Sequence, residues 1–339
     1  MPKTGEGLSP KSIIRYAQCI KQWQMFTKNA DFAEFDKNIA GQFKDHLKSV
    51  AEEKGTTLVN QYHVLRHLRR FFNWLCDQKG YEKIKRRDIA YLQLSKNDTR
   101  AALEQTEKEI PTIDELRVLI SSIPSTSEVN MRDRALICLF SLTGMRISAA
   151  ASLPIRSFNR DTLVFRQSPN IGVKTKNSKP ILTTFLPIDL KNAEDYFLAW
   201  FDYLVGTKGF SPTDPIFPST DKHSNDKVST SFWTTSGPAY KTVQKRFKEA
   251  NLPAYNPHSF RHFASACLSE MRLTEIEKKA CSMNFGHEDV GTTFGTYGYG
   301  NMTQAKAVEI IKKTKERPGG SIQVTAEQKS ALKNLLEIL

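Results

Sequence analysis

The residues of this chain that could do chemistry are concentrated near its C-terminal end. His258 and Arg261 lie in the segment His-Ser-Phe-Arg-His, His287 follows a glycine, and Tyr297 lies ten positions further on. Arg146 lies upstream in a Thr-Gly-Met-Arg turn. Guanidinium groups stabilise charge on phosphate oxygens, an imidazole can carry a proton, and a phenol oxygen can act as a nucleophile. Each residue alone would be an ordinary structural or surface residue, but together they match the needs of a reaction at a phosphodiester.

The composition favours a polyanionic partner. The 339 residues carry a formal net charge of +13, and the sequence pI is about 9.4. No apolar run approaches the ~20 residues of a membrane span, and residues 1–10 contain no apolar signal-peptide core. A basic surplus without a membrane segment indicates nucleic acid, with DNA or RNA open on charge alone, although no RNA-binding motif is visible. The five scattered cysteines include no CxxC pair, which favours reduced thiols and a cytoplasmic location.

Helical periodicity dominates the first ninety residues. Apolar side chains recur at helical spacing from Ile13 to Trp23, from Ile39 to Leu47 and from Leu58 to Leu75. The basic residues of the third segment lie mostly off its apolar stripe, so they form either a solvated face or a face for DNA phosphates. The candidate DNA-binding residues of this region are Arg66, Arg69, Arg70, Lys85, Arg86 and Arg87.

Beyond residue 90 the helical periodicity stops, and it returns after residue 110. Residues 91–110 lack an apolar period and are predicted to be a linker. Thr112 and Glu115 form a capping box that predicts a helix start, and an apolar helix over 131–143 should be buried and end at Gly144.

A small sheet should follow. The β-like segments 162–165 and 181–186 flank a lysine-rich turn and predict an antiparallel hairpin. Residues 206–237 have loop composition, and helices are expected again from Ala239 and His258.

These motifs resemble those of the tyrosine recombinase (phage integrase) family, over nearly the whole chain. Residues 143–147, Thr-Gly-Met-Arg-Ile, resemble the first-arginine motif, and 258–261 resemble the His-x-x-Arg motif. Gly286-His287 followed by Tyr297 is similar to the final His…Tyr motif, and the turn 174–179 is similar to the catalytic-lysine turn. Each motif is short, but their shared order and separation make the resemblance specific.

The resemblance implies a mainly α fold with a small antiparallel β-sheet. A helical core-binding, DNA-binding domain is expected over 1–90 and a linker over 91–110. An α+β catalytic domain is expected over 111–317, and an amphipathic tail helix over 318–339.

The resemblance also implies site-specific DNA recombination or integration through a 3′-phosphotyrosyl intermediate, with no metal, cofactor or ATP. Tyr297 would be the nucleophile, with Tyr299 as the alternative, and Lys174 would be the general acid, with Lys176 as the alternative. The predicted catalytic residues are Arg146, Lys174, His258, Arg261, His287 and Tyr297, and Lys176 and Lys179 are predicted to contact DNA. One departure is Ala149, where the family often has an acidic residue that braces the first arginine.

The expected partners are double-stranded DNA and further copies of the chain. A tetramer on DNA is expected, in which residues 322–339 could contact a neighbour. Two other functions remain open on the residues: DNA relaxation of the type IB topoisomerase kind, and sequence-specific DNA binding without cleavage. The sequence does not specify the DNA site or the biological role.

Overall fold

The structure is a computed structural model that describes residues 10–103 and 109–298, and only the backbone of residues 10, 11 and 296–298. Tyr299 and the predicted tail over 318–339 lie outside the described residues. The chain divides into two compact units between residues 105 and 106. The boundaries of the domains predicted from the sequence remain predictions.

The first unit is helical. Its helices are α1 Pro10–Phe26, α2 Lys37–Lys54, α3 Leu58–Leu75, α4 Arg86–Ile89 and α5 Lys96–Leu103. Local chemistry sets the ends of α2, because the Asp36 side chain accepts a hydrogen bond from the Ile39 amide at 2.8 Å and Gly55 adopts a left-handed φ of 63°. The Thr57 hydroxyl caps α3 in the same way. The three helices predicted from periodicity are therefore confirmed.

Aromatic rings form the centre of this unit. Trp23 lies with its ring centroid 5.0 Å from those of both Phe43 and Phe72, and all three side chains are at most 2% exposed. Such contacts bring helices together through apolar burial and edge-to-face packing.

The segment predicted to be a linker contains a helix. Within 91–110, α5 begins after Ser95, whose hydroxyl donates to the Asp98 carboxylate at 2.7 Å and accepts from the Asp98 amide at 3.0 Å. Ala102 is the one residue of α5 that is buried. A helix with so little apolar surface shows no apolar period, which explains why the pattern did not reveal it.

The second unit is α+β. Its helices are α6 Ile113–Ser122, α7 Glu128–Thr143, α8 Ile147–Ala150, α9 Ala193–Asp202, α10 Gly237–Glu249, α11 Ser259–Glu270 and α12 Glu275–Asn284. Thr112 and Glu115 form the predicted capping box at the start of α6. Helix α7 is buried on most of its surface, packs against α9 and α11, and ends at Gly144 with a φ of 57°. Burial on several sides explains why its sequence has no single apolar stripe.

Two small antiparallel sheets complete the second unit. In the first sheet, β2 Val164–Gln167 lies between β1 Phe158–Asn159 and β3 Ile181–Thr184. The predicted hairpin is therefore present, with Phe165 opposite Thr183. The second sheet pairs β4 Pro218–Thr220 with β5 Val228–Phe232, inside the region predicted to be mostly loop.

The missed hairpin has a physical explanation. Of the β5 residues only Val228 is buried, and the strand is rich in serine and threonine. Strands with little buried surface give a weak alternating pattern, so composition favoured a loop.

The architecture confirms the predicted fold class. Among the described helices, none is both long enough and apolar enough to cross a lipid bilayer.

Candidate active site

Arg261 is the centre of the candidate site. It lies in the first turn of α11 and is 2% exposed. One terminal nitrogen donates to the Gly144 carbonyl at 3.0 Å, and the other donates to the Phe285 carbonyl. The guanidinium carbon also lies 4.8 Å from the centroid of the Phe285 ring. Burying a permanent cation is costly unless its donors are matched, so these carbonyls, distant in sequence, fix the plane of the guanidinium.

Two glycines make this arrangement sterically possible. A Cβ atom at Gly144 would lie 2.4 Å from Cε1 of Phe285 and 3.3 Å from Cα of Arg261. A Cβ atom at Gly286, which has a φ of 72°, would lie 2.4 Å from Cδ1 of Ile181. Both positions combine a left-handed backbone with a close approach, which only glycine accommodates without strain.

His287 is hydrogen-bonded at both ring nitrogens. It is 7% exposed, its Nε2 lies 2.7 Å from a terminal nitrogen of Arg261, and its Nδ1 lies 2.8 Å from the hydroxyl of Thr293. The Phe285 and His287 rings are stacked, with centroids 5.9 Å apart. The imidazole is therefore held in one orientation beside the arginine.

Electrostatics link His287 to most of the predicted catalytic residues. Burial is the largest cause that lowers the pKa of His287, to about 3. The positive charges that lower it further belong to Arg261, Arg146, Lys176 and His258. The imidazole is therefore neutral at physiological pH, and the cations around it favour binding of an anion.

Arg146 immediately precedes the short helix α8. Its side chain is half-buried, and its carbonyl accepts from the amides of Ala149 and Ala150 at 2.9 and 3.0 Å. Ala149, where an acidic brace was expected, is 1% exposed. Gly144 ends α7 only two residues earlier, so the same turn places Arg146 and supplies a carbonyl to Arg261.

His258 lies one residue before α11 and is exposed. The Asn256 side chain accepts its amide proton at 2.9 Å, which fixes the backbone at the helix start. The rings of His258 and His262 meet edge to face, with centroids 5.3 Å apart. His262 itself is 2% exposed, as expected for a packing residue.

The lysine-rich turn is attached to the site by its backbone and by one side chain. The Lys174 amide donates to the Ser152 hydroxyl at 2.8 Å, while its side chain is exposed. Lys179 donates to the carboxylate of Glu288, next to His287, at 3.0 Å. The charge of Lys176, one of the two candidate general acids, contributes to the low pKa of His287.

Tyr297 lies in a π-helical turn, Thr292–Gly298, that packs against α11. The side chain of Tyr297 lies outside the described part of the chain, so its predicted role stays a prediction. The turn is anchored by Thr293 and Phe294, which are 0% and 6% exposed.

Sequence reasoning missed two residues next to His287. The Asn284 side chain accepts from the Thr184 amide at 2.7 Å and donates to the Thr184 carbonyl at 3.2 Å, which joins the end of α12 to β3. Phe285 packs its ring against Arg261 and His287. The one signal of Asn284 and Phe285 in the sequence is their position, directly before Gly286 and His287.

The six predicted DNA-binding residues of the first unit are all exposed. Arg86 is paired with Asp77, and Arg69 donates to the Gln93 side chain at 3.0 Å. Beside this basic face, His67 stacks on Tyr16 with ring centroids 4.7 Å apart. Burial is the largest cause that lowers the pKa of His67, and neighbouring cations lower it further.

The cysteines are consistent with the predicted reduced state. All five are free thiols. Among the described residues, no group of three or more histidine, cysteine or acidic side chains is placed to hold a metal ion.

The sequence matches known proteins in the region of this site. Residues 111–304 match the model of the phage integrase family. A tyrosine recombinase XerC from Lactobacillus delbrueckii subsp. bulgaricus is 25% identical over 302 residues, which cover 86% of this chain and 89% of that protein.

Solved structures share the fold. XerH site-specific recombinase in a post-cleavage complex with its difH substrate gives a TM-score of 0.62 at 17% identity, covering 89% of this chain and 80% of that one. A lambda integrase tetramer bound to a Holliday junction gives a TM-score of 0.58 at 14% identity, covering 88% of this chain and 75% of that one.

The chain belongs to the phage integrase family. The predictions of a tyrosine recombinase and of an enzyme that carries out site-specific DNA recombination are confirmed at the level of the family. The comparisons do not favour a type IB topoisomerase or a non-cleaving DNA-binding protein.

Proposed function

We propose that this enzyme cleaves and rejoins DNA strands through a 3′-phosphotyrosyl intermediate. The observation that carries the proposal is the buried pair of Arg261 and His287, whose imidazole also feels the charges of Arg146 and Lys176. Such a cluster of cations, next to the turn that bears Tyr297, suits a phosphodiester whose oxygens gain negative charge during the reaction.

Tyr297 attacks the scissile phosphate and releases a 5′-hydroxyl. A phenol ordinarily loses its proton only near pH ~10, so it needs a base or nearby positive charge. His258, exposed at the start of α11, accepts that proton. The ester conserves the energy of the broken bond, so religation needs no ATP.

Arg146 and Arg261 bind the non-bridging oxygens, a task suited to permanently charged, planar groups. His287, neutral because of its low pKa, acts by hydrogen bonding and not as an acid. Loss of one such stabilising group in an acyl-transfer enzyme typically costs ~3–4 kcal/mol of barrier.

A lysine of the turn 174–179 protonates the departing 5′-oxygen. The sequence favoured Lys174, and we propose Lys176 instead because its charge contributes to the low pKa of His287. In the second unit Lys179 contacts the DNA backbone. In the first unit the exposed arginines of α3 and the exposed residues Lys85, Arg86 and Arg87 do so.

The substrate is double-stranded DNA, and the active assembly is a tetramer. Support comes from the similarity of fold to a lambda integrase tetramer on a Holliday junction. Residues 322–339 are the proposed contact with a neighbouring copy. The cytoplasm is the proposed compartment, because the substrate is DNA and the five cysteines are free.

The decisive test is trapping of a covalent adduct. A duplex site is first selected by binding from a random library and then nicked next to each candidate cleavage position, so that a cleaved strand cannot be rejoined. Wild type should form a covalent protein–DNA adduct, Tyr297→Phe should not, and the matched control Tyr299→Phe should keep it.

Each other outcome has a clear meaning. Loss of the adduct in Tyr299→Phe alone would reassign the nucleophile. DNA binding without any adduct would refute strand cleavage, and relaxation of a plasmid that lacks the site would favour topoisomerase activity.

A further inference from the structure

A chain of buried hydrogen bonds leads from His287 to the turn that bears Tyr297. His287 Nδ1 lies 2.8 Å from Thr293 Oγ1, Thr293 Oγ1 lies 3.0 Å from Ser282 Oγ, and Ser282 Oγ lies 3.3 Å from the Asp289 carbonyl. Thr293 and Ser282 are both 0% exposed. Buried hydroxyls have no water with which to exchange partners, so the direction of each bond follows from the chemistry of its ends.

The Asp289 end of this hydrogen-bond chain determines which group donates the proton in each bond. A carbonyl only accepts, so the single Ser282 hydroxyl proton points to Asp289. Thr293 therefore donates its own proton to Ser282, and it can only accept from His287. Nδ1 of His287 must then carry the proton.

The contact with Arg261, at the other side of the His287 ring, also places the proton on Nδ1. A guanidinium nitrogen only donates, and Arg261 Nη2 lies 2.7 Å from Nε2 of His287, so Nε2 must be unprotonated. A neutral imidazole has one proton, which again falls on Nδ1. Both ends of the chain therefore select the same tautomer.

Thr293 also shares a structural element with the proposed nucleophile. It lies four residues before Tyr297, within the turn Thr292–Gly298. A displacement of this turn would move the Thr293 hydroxyl away from Nδ1 and leave a buried N–H without its acceptor. The imidazole could then adopt the other tautomer, in which Nε2 carries a proton and no longer accepts from Arg261.

We propose that Thr293 is a positioning residue: it holds His287 as the Nδ1–H tautomer, so that the Arg261–His287 pair forms only when the Tyr297 turn is in place. This rests on the proposed function for its consequence in catalysis, though not for the tautomer itself. The arrangement would keep the phosphate-binding guanidinium of Arg261 from being oriented correctly while the nucleophile is absent.

The direct test is the tautomer, measured by two-bond ¹H–¹⁵N correlation on the full-length chain labelled with ¹⁵N-histidine. His287→Gln identifies the His287 signals among those of the seven histidines. Wild type and Thr293→Ser should show the Nδ1–H pattern, and Thr293→Val should show a mixture with Nε2–H. An unchanged Nδ1–H pattern in Thr293→Val would overturn the proposal.

The second readout is single-turnover cleavage of the nicked duplex. Thr293→Val should slow cleavage by about 10- to 100-fold, since a buried donor loses its partner, while DNA affinity stays within about 2-fold. Thr293→Ser keeps the hydroxyl and should stay within about 3-fold of wild type. Equal losses in the Val and Ser variants would mean that the fit of the whole side chain matters and not the hydroxyl in particular, and would refute the proposal.

Two further variants complete the test. Thr292→Val makes the same chemical change on the half-buried neighbouring residue and should leave both readouts at the wild-type value. If Thr293→Val fails to fold, Ser282→Ala interrupts the chain one link further away and should give a smaller loss and a partial mixture of tautomers. An Nε2–H tautomer in wild type would overturn the proposal whether or not Thr293→Val folds, whereas absence of cleavage by wild type would refute only the proposed function.

Discussion

Replacement of Gly144 by alanine should damage both the stability and the activity of the second unit. Gly144 has a φ of 57°, and a left-handed backbone costs an alanine about 1–2 kcal/mol. The new methyl group would also lie 2.4 Å from Cε1 of Phe285, where carbon atoms ordinarily keep ~3.5–4.0 Å, so the ring must move by about 1 Å or more.

The steric clash lowers the free energy of unfolding further, because the atoms around the new methyl group cannot all move away from it. The methyl would also lie 3.3 Å from Cα of Arg261, which is backbone. Overpacking of this kind costs about 1–3 kcal/mol, so Gly144→Ala should lower the free energy of unfolding by about 2–5 kcal/mol in all. Movement of Phe285 also shifts the carbonyl that orients Arg261, and a misplacement of ~1 Å can slow catalysis about 100-fold.

Gly209 provides a matched control in the same unit. Its φ is 67°, close to that of Gly144, but nothing lies within 4 Å of the position that a Cβ would occupy. Gly209→Ala should therefore cost only the backbone term of about 1–2 kcal/mol and leave the cleavage rate unchanged. Urea denaturation and single-turnover cleavage of the nicked duplex measure the two effects.

The comparison between the two alanine variants is the decisive quantity. If Gly144→Ala and Gly209→Ala agree within about 1 kcal/mol and about 3-fold in rate, the close approach of Phe285 contributes nothing beyond the backbone penalty. Phe285 would then not be needed to orient Arg261.

Two further predictions concern protons. His287 has a pKa of about 3 in the folded chain against ~6.5 when unfolded, so the unfolded chain binds the proton first on acidification and stability is lost as the pH falls below ~6.5. Between pH 7 and pH 5, wild type should lose about 2 kcal/mol more than His287→Gln by urea denaturation, and parallel losses would contradict burial of the imidazole. With ordinary DNA, Lys176→Ala should slow cleavage about 100-fold or more and Lys174→Ala much less. A substrate with sulfur as the 5′ leaving atom needs no protonation and should restore Lys176→Ala to near wild type, and rescue of Lys174→Ala instead would return the role to Lys174.

Local sequence was sufficient to predict the elements whose signals are local. Caps at Asp36, Thr57 and Thr112 and the glycine at 144 mark helix ends, because a side-chain oxygen or a left-handed residue satisfies backbone groups only a few positions away. The first three helices and the hairpin around the lysine-rich turn could also be predicted, because their patterns of apolar residues repeat within short stretches of sequence. The order of the Arg, Lys, His-x-x-Arg and His…Tyr motifs was enough to indicate the family and its chemistry.

Helices and strands with little buried surface could not be predicted from local sequence patterns. The helix Lys96–Leu103 and the strand Val228–Phe232 each bury one residue, so neither creates a pattern of hydrophobicity. The sequence also gave no means to choose between Lys174 and Lys176, since both lie in one turn. Their positions depend on how that turn is attached to Ser148 of α8, to Ser152 and to Glu288.

The order of amino acids establishes which chemical groups this protein has and how they follow one another along the chain. The protonation and orientation of those groups come from the fold. The orientation of Arg261 depends on carbonyls of Gly144 and Phe285, and the low pKa of His287 depends on burial beside charged groups from three separate segments. Protonation and orientation are set by distances between residues far apart in the chain, and such distances exist only once the chain has folded.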